Sequence, residues 1–166
     1  MTTGTRFIPL IGITLLALAA PRAAHAQLQY GPEINVGTNS IGVGIGARVE
    51  ASLAKLVPTV PGLTAIGSFD YYFPSGFNYW ELNGNVVYHF QIPNVKIAPY
   101  AGAGIVIGHT SVSGCPSGFS CSSTNVGLNL VGGTNFPAMG KITPFAELHI
   151  ELRTGSAVVF TGGVLF

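Results

Sequence analysis

The sequence predicts an all-β protein: eight antiparallel strands closed into an up-and-down transmembrane β-barrel. Three observations predict it. Apolar and polar residues alternate along one segment after another, which is the period of a strand. The composition is 48% hydrophobic and only 8% charged, against about 25% charged in an ordinary soluble domain, and the mean hydropathy is +0.49. Beyond the first residues, however, no apolar run approaches the roughly 20 residues of a spanning helix. An apolar chain without apolar runs crosses a membrane with strands, because a closed sheet pairs every backbone N–H and C=O inside the protein.

The opening stretch has a basic residue, Arg6, an apolar run from Phe7 to Ala20, and the small-x-small end Ala24-His25-Ala26. Residues 1–26 therefore read as a secretory signal peptide cut after Ala26. That leaves 27–166 as one barrel domain, with no composition break to suggest a second. Arg6 and Arg22 leave with the signal, so five of the seven basic residues face six acidic ones. No basic patch remains, which argues against nucleic acid as a partner.

A weak first strand lies around Tyr30 to Gly37. The second is the clearest: Ile41, Val43, Ile45, Ala47, Val49, Ala51 and Leu53 fall on one face, and Gly42, Gly44, Gly46, Arg48, Glu50 and Ser52 on the other. In the third, Leu63, Ala65, Phe69, Tyr71 and Phe73 oppose Thr64, Ser68, Asp70 and Tyr72. The fourth sets Trp80, Leu82, Gly84, Val86, Tyr88 and Phe90 against Tyr79, Glu81, Asn83, Asn85, Val87 and His89. The fifth sets Ile97, Ala101, Ala103, Ile105 and Ile107 against Tyr100, Gly102, Gly104 and Gly108. The sixth places Val126, Leu128 and Leu130 opposite Asn125, Asn129 and Asn135. The seventh places Ile142, Ala146, Leu148, Ile150 and Leu152 opposite Thr143, Glu147, His149 and Glu151. The eighth ends the chain on Val158, Phe160, Gly162, Val164 and Phe166. Turn signals separate the segments, and all of them suit short connections except the stretch from about Thr110 to Thr124. Eight such strands can close on themselves and leave no edge.

Alternation alone does not say which face points inward. The polar face is made mostly of Gly, Asn, Ser and Thr, too poor in charge to dissolve a barrel of this size. Its small residues suit the narrow lumen of eight strands. Aromatic residues gather near the ends of the apolar face, as they do at the two interfaces of a membrane barrel. The apolar face is therefore expected toward lipid and the polar face in the lumen.

With its signal peptide, its strand count, Y-H-F followed after a short turn by P-Y-A-G-A-G-I, and the terminal T-G-G-V-L-F, the chain resembles the small eight-stranded outer-membrane barrels of the OmpA-like and opacity-porin type. The resemblance covers Tyr30 to Phe166. It implies a bacterial outer-membrane location and contact with outer-membrane lipids. It also implies a C-terminal signal, Phe160, Gly162, Val164 and Phe166, read by the barrel-assembly machinery. A monomer is expected, with no cofactor and no catalytic or metal site. Relatives often have several long external loops, whereas here one alone is expected.

The candidate site is the lumen. Arg48, Glu50, Asp70, Glu81, Glu147, His149 and Glu151 all carry inward parity, and a polar network that plugs the barrel is expected, because unpaired charges in a dry interior cost several kcal/mol each. The competing reading of these groups is an ion path or a catalytic carboxylate pair. Cys115 and Cys121 lie in the long loop of an exported chain and are expected to form a disulfide; alkylation of the unreduced protein should then leave its intact mass unchanged. His109 and Ser111 are similar to the His-x-Ser of the outer-membrane lipid A deacylase barrels. No carboxylate follows in the next loop or strand to orient His109, so an interfacial histidine is expected instead. The Gly-rich stretches G-V-G-I-G and G-A-G-I open no helix, which excludes a nucleotide-binding turn. Their expected work is to make room in the lumen for large neighbours such as Tyr100 or Arg48. A non-enzymatic envelope or surface-contact barrel is the expected function. The alternatives are a narrow channel or carrier of the OmpW-like kind and a lipid A-modifying enzyme.

Overall fold

The computed structural model describes residues 28–112 and 121–166. Among the described residues every element is a strand: β1 (Leu28–Gly37), β2 (Gly42–Ser52), β3 (Leu63–Tyr72), β4 (Asn78–His89), β5 (Ala98–Ser111), β6 (Ser122–Asn135), β7 (Thr143–Leu152) and β8 (Ala157–Leu165). They form a closed barrel in chain order, each antiparallel to the next, with β1 returning to β8. The expected strand number, direction and closure are all present.

Closure takes place at the first and last strands. The β1–β8 ladder runs from Glu33↔Gly163 to Gly37↔Val159. Pro32 has no N–H to contribute beyond it, and the seam resumes where Phe166 donates its backbone N–H to the Tyr30 carbonyl at 2.9 Å. The two rings lie side by side on the outer face, 6.5 Å between centroids. The final aromatic thus helps seal the barrel and stands on its exterior.

The exterior is apolar over its height. Ile34, Ile45, Leu82, Ile105, Leu128 and Leu130 are all exposed. Rings collect toward both ends of this face. Tyr30, Tyr88, Phe90, Phe136 and Phe166 are near the end that carries the termini, with Tyr88 and Phe90 edge to face at 5.2 Å. Phe69, Tyr71, Phe73 and Trp80 are near the far end, with Phe69 and Trp80 at 5.9 Å. An exposed apolar band between two aromatic girdles is the surface that hydrocarbon and its interfaces accommodate.

The structure corrects two expectations. Alternation assigns Ile41 to the outward face at the start of the second strand, but it is buried against Tyr72, Tyr79, Ala157 and Val159. Asn39, Ser40 and Gly42 have φ of 55°, 68° and 77°, and this left-handed turn rotates Ile41 over the far mouth, so the strand's alternation begins only at Gly42. The long loop is also shorter than expected. β5 and β6 stay paired out to Ser111↔Ser122, while the connections at the terminal end, residues 53–62, 90–97 and 136–142, are comparable with it in length.

Candidate functional site

All six acidic residues of the chain, Glu33, Glu50, Asp70, Glu81, Glu147 and Glu151, are buried. They line the lumen together with Arg48, His149 and the inserted side chain of Arg153, which is 6% exposed. Strand parity does this: each of these residues on a strand lies at an even spacing from its lumen-facing neighbours on the same strand.

Arg48 holds the half nearer the termini. Its Nη1 and Nη2 donate to the two carboxylate oxygens of Glu147 at 2.7 and 2.9 Å, and its Nε donates to Glu50 at 2.8 Å. The guanidinium lies 4.3 Å from the centre of the Phe145 ring, and Nη2 also reaches the Tyr100 hydroxyl at 3.3 Å. A planar fork that meets a carboxylate with two parallel bonds is the strong form of this contact.

The network continues through His149. Its Nε2 lies 2.5 Å from Glu147 Oε1, and its Nδ1 receives the Asn129 amide N–H at 2.9 Å. Both contacts are satisfied when the ring proton is on Nε2. Asn129 also donates to Asn83 at 3.2 Å, and Asn83 donates to Asp70 at 3.2 Å. Asp70 accepts further bonds from Ser68 at 2.9 Å and Asn35 at 2.6 Å, and Thr161 donates to Asn35 at 2.6 Å. One connected set of side chains therefore touches all eight strands: Asn35, Arg48, Asp70, Asn83, Tyr100, Asn129, Glu147 and Thr161 stand on β1 to β8 in turn.

A second cluster closes the far half. Arg153 donates to Glu81 and to Glu151, both at 2.8 Å. Glu81 also accepts the hydroxyls of Tyr72, at 3.1 Å, and of Tyr79. Above it, Ile41 and Tyr72 pack with Tyr79 across the mouth. The seven lumen residues expected from parity thus fall into two groups: Arg48, Glu50, Asp70, Glu147 and His149 in the first, Glu81 and Glu151 in the second.

Sequence reasoning missed several members. Glu33 and Asn35 share inward parity, but Gly31-Pro32 weakens the strand signal before them. Arg153 lies beyond the end of β7, where parity says nothing; the cue was an arginine next to a strand ending in a lumen glutamate. The role expected for the glycines holds in part: Gly44 and Gly46 of G-V-G-I-G make room for Tyr72 and Asp70, whereas Gly102 and Gly104 of G-A-G-I lie against the backbone carbonyls of Val86 and Gly84, and the room for Tyr100 and Arg153 comes from Gly133 and Gly127. A Cβ on Gly44 would stand 2.7 Å from the Tyr72 ring, one on Gly133 2.6 Å from Tyr100, and one on Gly127 2.6 Å from Arg153.

His109 lies outside the lumen, stacked on Trp80 at 5.2 Å with Nδ1 2.8 Å from the Thr124 hydroxyl. Every acidic side chain of the protein is in the lumen, so none orients it. Among the described residues no His, Cys, Asp or Glu side chains group as a metal site, and Cys121, the cysteine that is described, is disulfide-bonded. The expected disulfide involves Cys115, which lies outside the described residues, as does the expected signal peptide.

No family model matches the chain, and no curated protein matches it. Solved structures do. The chain is similar to the N-terminal β-barrel domain of Pseudomonas aeruginosa OprF, with TM-score 0.61, 16% identity, and 83% of this chain and 96% of that one covered. It is similar to Neisserial surface protein A, with TM-score 0.57, 16% identity, and coverage of 83% and 94%. It is also similar to a major outer membrane protein of Thermus thermophilus, with TM-score 0.53, 13% identity, and coverage of 84% and 98%. The fold is that of the small eight-stranded outer-membrane barrels.

Proposed function

We propose that this chain is a monomeric, non-enzymatic barrel of the bacterial outer membrane, contributing to envelope structure or surface contact with its lumen plugged. The observation that carries the reading is the network from Asn35 to Thr161 that ties all eight strands together. A lumen filled by charge-assisted bonds between opposite walls leaves little path for solute, and it makes the wall rigid. The end with the termini faces the periplasm in this reading. Phe160, Gly162, Val164 and Phe166 serve the assembly machinery, and the far turns face outward. An enzyme acting on lipid A is disfavoured, because His109 contacts an indole and a threonine rather than a carboxylate.

Electrical recording tests the plug. The protein inserted in planar bilayers should give no large, stable single-channel steps. Regular steps of that kind would replace the plugged barrel with the channel reading.

A further inference from the structure

The charge left outside the lumen is one-sided. With Arg48, Arg153 and every acidic side chain inside, the exposed charged side chains among the described residues are Lys55, Lys96 and Lys141. They stand one on each of the three connections at the terminal end, 53–62, 90–97 and 136–142. Each lysine has exposed apolar company: Leu56 at 79%, Ile92 at 47% and Met139 at 67%. Large apolar side chains at loop tips are unfavourable in water, and here they lie at the end marked by the Tyr30, Tyr88, Phe90 and Phe166 girdle. In the β4–β5 connection the two chemistries form one concavity, a cavity of about 590 Å³ lined by Phe90, Ile92, Val95, Lys96 and Ile97.

We propose that this rim binds anionic phospholipid, with its best-formed seat in the β4–β5 connection. There Lys96 meets the headgroup phosphate, and Phe90, Ile92, Val95 and Ile97 lie along the start of an acyl chain. The inference rests on the membrane-barrel reading above. Lysine stems lie along apolar surface while the ammonium reaches toward phosphate, and no exposed acidic side chain among the described residues competes for it. A zwitterionic headgroup cancels its phosphate with its own cation, so net-anionic lipid is preferred. Lys55 and Lys141 extend the same preference around the rim.

The test uses the mature protein extracted from membranes, delipidated in neutral detergent and titrated with dioleoylphosphatidylglycerol, dioleoylphosphatidylcholine or lipid A under native mass spectrometry. One lysine near an anionic surface is worth roughly fivefold in affinity. Phosphatidylglycerol adducts should therefore persist at about fivefold lower lipid concentration than phosphatidylcholine adducts. Lys96→Gln should remove most of that margin, and the triple variant K55Q/K96Q/K141Q should remove all of it, with each variant still changing gel migration on heating. Equal retention of the two phospholipids, a margin that survives in the triple variant, or a preference for lipid A would overturn the proposal while leaving the barrel intact. Absence of the heat shift in the unmodified protein would instead sink the membrane-barrel reading.

Discussion

Replacing Arg48 with Ala is expected to destabilise the barrel by about 3–5 kcal/mol, the range for removing one partner of a buried ion pair. Six carboxyl groups share the lumen with two guanidinium groups, and Arg48 alone meets both Glu50 and Glu147 and covers the Phe145 ring. Its loss leaves two glutamates facing each other and unties β2 from β7. Lysine at the same place restores one charge but not the two-pronged contact, so Arg48→Lys should fall between. Arg153→Ala should cost less than Arg48→Ala, because Arg153 works near the mouth and water can take its place. Urea unfolding of the vesicle-inserted protein, followed by loss of the fast-migrating gel band, measures all three. An unchanged midpoint for Arg48→Ala would mean that the network does not hold the wall together.

The second large effect is expected on the opposite face. Ile105 stands midway along β5, paired with Gly84 and Leu128, and is exposed. Arginine there should cost about 2–4 kcal/mol in a bilayer, as charge does at the midplane of a lipid-facing strand. On a water-facing surface the same change would stay within about 0.5 kcal/mol. The substitution thus asks which solvent touches the exterior. A midpoint that does not move in vesicles would place that face in water.

Much of this architecture was legible because period-two alternation is read the same way whatever the neighbours are. Parity alone sets Arg48, Glu81 and Glu147 on one face, and closure follows from the strand number. What parity could not provide was distance around the barrel. That Arg48 meets Glu147 rather than Asp70 depends on the stagger of the register and on Phe145 lying beneath the guanidinium. Residues just outside the strands were also hidden. Arg153 enters the lumen from a turn, and Ile41 covers the mouth because Asn39, Ser40 and Gly42 turn left-handed on either side of it. The lysine rim was hidden for a related reason: Lys55, Lys96 and Lys141 are far apart in sequence, and only the alternating direction of the strands gathers their loops at one end.

The central claim is that the apolar face meets lipid around a closed polar lumen. Gel migration of the membrane-extracted mature protein with and without heating, paired with circular dichroism in detergent, tests it most directly. A folded membrane barrel runs faster unheated and has a strand-rich spectrum, which is the predicted result. A strand-rich protein that dissolves in water and migrates identically before and after heating would contradict it.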